Sequence, residues 1–262
     1  MKPTYPSLGD MATSPLVSYK MFFFMRTISL IAHIVVLIFG IYTRKGRFFI
    51  QFTNWTNMLS TVYSVLAFLT SYFFTMPKFY SDASLTKVYN RTRPSKLAYV
   101  TQQLLRLTVP MHFIVSSVFW PLVFPTATRD HGNYDLIYFV FSHGLTLFLL
   151  LIESFFSQVV FNRSIIPVQS LYITTYAIFG VALFEITGYA VYDFMDFRHK
   201  TNRIIAACLL PVGVIYNEFV VLLGKLRDSV LSQILNIKKS DVSKKPKRKR
   251  AMKEKSYPEN SF

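Results

Sequence analysis

The chain has 262 residues, 52% of them hydrophobic and only 16% charged, with a formal net charge of +16. A soluble domain would carry about a quarter charged residues, so this composition excludes an ordinary soluble enzyme and asks for lipid around much of the chain. The single cysteine, Cys208, excludes internal disulfides.

Six apolar runs are long enough to be membrane spans, since about 20 apolar residues cross a bilayer core. In chain order they are Met21–Thr43, Phe48–Met76, Leu105–Phe124, Leu136–Phe156, Ile165–Tyr192 and Ile204–Gly224. No small-residue cleavage site accompanies the first run, which is expected to be retained as a span. The third contains Pro110, Pro121 and Pro125 and is expected to be kinked or short. The fifth carries Gly180 and Gly188, which permit close helix contact. The expected fold is an all-α, multi-pass transmembrane helical bundle of about six spans. Residues 1–20 form an N-terminal segment, 21–238 the membrane domain and 239–262 a basic, disordered tail, "KKSDVSKKPKRKRAMKEK" at its centre.

An even number of spans puts both termini on one side. That side gathers Lys2 and Lys20 before the first span, the loop residues Lys78, Lys87, Arg91, Arg93 and Lys96, then Arg163 and the tail. Arg129, Arg198, Lys200, Arg203 and the short loop "RKGR" face the other way. The positive-inside rule therefore places the termini in the cytosol. "KKPKRKR" matches a nuclear-import pattern. On a multi-pass protein it reads better as an anchor to anionic lipid headgroups. No groove-reading motif accompanies the charge, so no nucleic-acid partner is expected.

Polar residues at membrane depth face the bundle or a wet cavity. Thr53, Thr56, Asn57, Ser60, Thr61 and Ser64 share one stripe of the second span. Ser60, Thr61 and Ser64 are expected to pack helices by bonding back to their own backbone, and Trp55 reads as an interface anchor. In the fourth span His143, Thr146, Leu150, Glu153 and Ser157 share a face. Glu153 lies about 15 Å along the helix from His143, so its expected partners are His112, Asn217 or His33. Thr53 and His143, by contrast, both lie about 8–11 Å below the non-cytosolic surface. A hydroxyl beside an imidazole has the parts of an activated nucleophile. Glu185 and Thr187 reach a similar depth in the fifth span, where Glu185 can orient the imidazole or snorkel. Soluble-hydrolase signatures, Walker loops and Cys/His zinc clusters are missing from the sequence, and no metal or cofactor is expected.

Four segments in order, "FFIQFTNWTN", "FSHGLTLFLLLIE", "EITGYAVYDFM" and "IYNEFVVLLGK", resemble the androgen-induced gene 1 family. "FTNW" also looks like the related rolling-stone proteins. The likeness covers residues 48–225 and implies a multi-pass membrane threonine hydrolase that cleaves fatty acid esters of hydroxy fatty acids. The family's nucleophile matches Thr53 and its base matches His143; Thr56, one turn on, is a rival nucleophile. On this reading Asn54 or Asn57 donates to the oxyanion, a substrate carboxylate meets Arg44, Lys45 or Arg47, and the substrate is a lipid reached from the bilayer. Endoplasmic reticulum is the default membrane. The rival readings are a non-catalytic scaffold or lipid-binding protein, and a carrier using Glu153, Glu185 and His112.

The topology has a direct check. In sealed microsomes, protease added outside should remove the basic tail, and the sequons at Asn90 and Asn162 should carry no glycan. A protected tail or a glycan at either asparagine would invert the orientation.

Overall fold

The computed structural model describes residues 6–75, 95–125 and 133–244. Among these the fold is all helical, and six helices are long and apolar enough to cross a membrane. This is the architecture of an integral membrane protein. The chain divides into two units, Met1–Gly224 and Lys225–Phe262.

A short helix α1 (Leu8–Ala12) opens on a capping box between Ser7 and Asp10. Helix α2 (Tyr19–Arg44) follows an Ser18 N-cap and passes through a 3-10 segment, Lys45–Ile50, into α3 (Phe52–Thr75). Helix α4 (Lys96–Val118) starts at an Ser95 N-cap, nine residues before the expected Leu105. The polar residues of its first turns hide the start in the sequence. Arg106, just inside the expected start, is buried, with Nε donating to Val160 O at 2.7 Å. The loop expected between the second and third spans falls almost wholly outside the described residues.

The fourth span is divided into α5 (Asn133–Val140), a π turn (Phe141–Leu145) and α6 (Thr146–Phe156). A second π turn, Phe119–Val123, follows α4 and contains Pro121. Proline has no N–H and crowds the carbonyl one turn back, so the ladder widens there. Helix α7 (Ile166–Thr187) has a proline in its first turn and ends at Gly188, whose φ of 67° suits the left-handed cap. Helix α8 (Lys200–Lys244) continues well past the expected end at Gly224 and through the first residues expected to be disordered. The rest of the basic tail lies outside the described residues.

Two contacts register the bundle. Helices α7 and α8 meet at Gly213, where any Cβ would collide with Ile173. There Gln169 Nε2 donates to Gly213 O at 2.8 Å, and Asn217 Nδ2 to Gln169 Oε1 at 3.0 Å. Helices α2, α3 and α6 meet at Arg26, which is 1% exposed and faces Glu153 at 4%. Arg26 Nε and Nη2 donate to Glu153 Oε1 at 2.9 and 2.5 Å; Nη1 donates to Ala67 O and Ser71 Oγ. The guanidinium also lies 4.3 Å over the Phe22 ring. This corrects one expectation: Glu153 pairs with none of His112, Asn217 or His33, but with Arg26 of the first span.

Removing one member of such a pair leaves the other charged and buried, a loss of about 3–5 kcal/mol. Arg26→Leu should therefore lower the unfolding midpoint in detergent sharply, while the double variant with Glu153→Leu recovers most of it. Equal midpoints for the single variant and wild type would remove the pair from its structural role.

Candidate active site

Most hydroxyls of the α3 seam are satisfied within their own helix. Thr56 Oγ1 donates to Phe52 O at 3.0 Å, Ser60 Oγ to Thr56 O at 2.9 Å, Thr61 Oγ1 to Asn57 O at 2.8 Å and Ser64 Oγ to Ser60 O at 2.9 Å. Each bond reaches four residues back. Thr53 has no such option. It is the second residue of α3, and the carbonyl four residues earlier, Phe49 O, accepts from Trp55 Nε1 at 2.7 Å. Thr53 is buried; its hydroxyl makes no bond back to its own helix, and the residue lines a small pocket together with Tyr192.

Tyr192 belongs to the segment after α7, which folds back over the start of α3. It lines the same pocket as Phe52 and Thr53. Burial pushes the phenol above its ordinary range, and the Thr53 and Phe52 contacts pull it only part of the way back. It is a proton-carrying donor at neutral pH. Tyr176 of α7 fixes the start of α3 from the other side: it donates to Ile50 O at 2.9 Å and accepts from Phe52 N–H at 3.0 Å. Trp55, expected at the interface, packs against Tyr172, Tyr176 and Phe179 of α7. On the same segment Arg198 holds the Asp196 carboxyl down at about 2, through a 2.5 Å contact.

Thr53 lines a small pocket of about 40 Å³ with Phe119, Tyr192 and Met195. Phe52, Ile114, Tyr176 and Met195 also line a larger apolar cavity of about 450 Å³ between α7 and α8.

His143 sits in the middle of its π turn, buried. Its carbonyl accepts from Ser116 Oγ at 2.6 Å, a side chain inserted into the loosened ladder. Its imidazole stacks flat on Phe119, centroids 3.5 Å apart and planes 6° from parallel. Nδ1 is buried without a hydrogen-bond partner. No hydrogen bond joins it to Thr53. Phe119, first residue of the other π turn, forms a wall of the Thr53 pocket and screens the imidazole from it. Tyr138 donates to Asn54 Oδ1, which sets α5 against α3. His143 lies five residues further on, about 7 Å deeper than that contact.

The remaining predicted residues are distributed unevenly. Asn54 is fully committed: beyond Tyr138, its Nδ2 donates to Phe48 O at 2.9 Å and Gln51 Oε1 at 3.0 Å. It holds the turn before α3 and has no donor left for an oxyanion. Asn57 is the opposite case, 2% exposed with neither amide atom hydrogen-bonded. Glu185 is exposed on the rim of the α7–α8 cavity, away from the imidazole that it was expected to orient. Arg44 lies over the rings of Tyr138 and Phe139, at 5.4 and 4.6 Å. Lys45 and Arg47 are exposed, and Lys45 turns the chain with φ 49°, uncommon for a residue with a Cβ. His112 is held between Ser60 Oγ at 2.6 Å and Thr146 Oγ1 at 3.4 Å.

Tyr192 and Phe119 were not singled out by the sequence. Pro121 is the one signal for the π turn that presents Phe119, and the quoted segment "EITGYAVYDFM" contains Tyr192 without marking it. Among the described residues no group of three or more His, Cys, Asp or Glu side chains is arranged to hold a metal ion. No family model, no curated protein and no solved structure matches the chain.

If Phe119 screens the imidazole, Phe119→Ala should raise the rate at which diethyl pyrocarbonate modifies His143 by about tenfold or more, an effect near 1.4 kcal/mol. Peptide mapping reads the site. An unchanged rate would mean that the phenyl ring is not what covers His143.

Proposed function

We propose that the protein is a membrane-embedded lipid ester hydrolase that uses Thr53 as nucleophile and His143 as base. The observation that carries this reading is the unshared position of Thr53. Its neighbours on the seam bond back to their helix, whereas Thr53 does not and lines, with Tyr192, a pocket next to the α7–α8 cavity.

In the proposed reaction Thr53 Oγ1 attacks the ester carbonyl carbon and its proton passes to His143. The carbonyl oxygen becomes an oxyanion facing the Thr53 N–H at the helix start and the Tyr192 hydroxyl, a donor pair suited to developing negative charge. Collapse breaks the bond to the alcohol, which leaves with the proton from His143. Water then attacks the acyl-threonine, His143 takes its proton, and the carboxylic acid departs as the Thr53 hydroxyl is restored. For the imidazole to serve, the Phe119 side chain must turn away from it. Its position at the start of a π turn, where the ladder is already loosened, suits such a movement. The resemblance of the four segments in order, "FFIQFTNWTN", "FSHGLTLFLLLIE", "EITGYAVYDFM" and "IYNEFVVLLGK", to the androgen-induced gene 1 family supports fatty acid esters of hydroxy fatty acids as substrates. We place the protein in the endoplasmic reticulum membrane with both termini cytosolic, on the charge pattern.

The second reading is a lipid-binding protein without chemistry, and one observation favours it: the face-to-face Phe119–His143 stack keeps base and hydroxyl apart. An active-site-directed fluorophosphonate, with a lipid-ester panel, separates the two. Wild type should be labelled and turn over ester, Thr53→Ala should lose both, Thr56→Ala should keep both, and His143→Ala should fall by about 10²–10⁴. A folded wild type that neither labels nor hydrolyses any ester leaves the binding reading standing.

A further inference from the structure

The cavity between α7 and α8 has a clamp at one end and charges at the other. Gln169, Gly213 and Asn217 hold the helices together at its closed end. Toward Thr187 and Lys200 the helices part around Ala177, Val181, Ala206 and Ala207. A second, more open groove of about 460 Å³ shares these residues and adds Ile178 and Leu210. Ile178 is 64% exposed, so the opening faces the surroundings of the bundle at hydrocarbon depth. From Ile173 to Glu185 the lining runs about 18 Å along α7, a slot for an alkyl chain.

Two charged side chains line this otherwise apolar cavity, Glu185 in the last turn of α7 and Arg203 in the first turn of α8. They are of opposite sign, and among the described residues neither forms an ion pair. Arg203 Nε donates to Phe197 O at 2.6 Å, which turns the guanidinium at the rim and leaves its terminal nitrogens to other acceptors. Both residues are exposed, and both lie at helix ends, where headgroups begin.

We propose that this cleft binds a zwitterionic phospholipid. One acyl chain fills the slot between α7 and α8, the phosphate meets the Arg203 guanidinium, and the headgroup ammonium meets the Glu185 carboxylate. An unpaired cation and anion at one apolar mouth fit a ligand that carries both charges next to a chain. A simple fatty acid would leave Glu185 facing its carboxylate. The slot and the Thr53 pocket share the walls Phe52, Ile114, Tyr176 and Met195, yet the site stands on its own lining and not on any turnover at Thr53.

Native mass spectrometry of the full-length protein in detergent tests it, with lysophosphatidylcholine as probe and lysophosphatidate of the same chain as the comparison. Wild type should retain lysophosphatidylcholine about tenfold better. Glu185→Gln should abolish that preference without weakening lysophosphatidate. Arg203→Gln should weaken both, and Ala206→Phe, which fills the slot, should also weaken both. Glu185 and Arg203 are exposed, so their variants should keep the wild-type unfolding midpoint. Equal retention of the two lipids by wild type, or retention unchanged in Glu185→Gln and Arg203→Gln, would overturn the proposal.

Discussion

In hydrocarbon a hydroxyl must find its acceptor inside the protein, and the easiest acceptor is the carbonyl four residues back on its own helix. That constraint orders the α3 seam. Thr56, Ser60, Thr61 and Ser64 obey it and become packing surface. Thr53 cannot, because the helix begins one residue before it and the Trp55 indole takes the carbonyl that it would need. The one seam threonine set apart is therefore set apart by position, at a helix start whose Phe52 N–H is satisfied from outside by Tyr176. Tyr176 then fixes that helix start from outside, through the Ile50 carbonyl and the Phe52 amide, and Tyr192 shares a pocket with Thr53.

The opposite end of the bundle follows the same constraint with charges. Arg26 and Glu153 would each be costly alone in an apolar interior, and together they satisfy nearly all of their donors and acceptors. The pair ties α2, α3 and α6 at the end of the bundle away from the two π turns and the Tyr192 segment.

The spans were legible because apolar runs of bilayer length are read directly from composition, and the back-bonding of Ser60, Thr61 and Ser64 was legible because small hydroxyls in a span have few other choices. The start of α4 was not. Thr101, Gln102 and Gln103 look like loop residues until the helix is seen to run on from its Ser95 N-cap. The partner of Glu153 was hidden because Arg26 lies on another helix, and spacing along the fourth span says nothing of what a distant span brings to it. Depth along ideal helices brought Thr53 and His143 to a common level. Helical rise alone says nothing about what stands between two side chains, and Phe119 stands there through a π turn that periodicity cannot register. Asn54 and Asn57 looked alike in sequence and differ completely in partners, since one lies beside the 45–51 turn and the other inside the bundle.

The most direct test of a nucleophilic Thr53 is to trap the acyl group on it. Rapid acid quench during lipid-ester turnover, followed by peptide mass spectrometry, should find the acyl mass on the segment that begins at Phe52, with fragmentation placing it on Thr53 and not on Thr56. Turnover that proceeds with the adduct on another residue, or continues undiminished in Thr53→Ala, would contradict it.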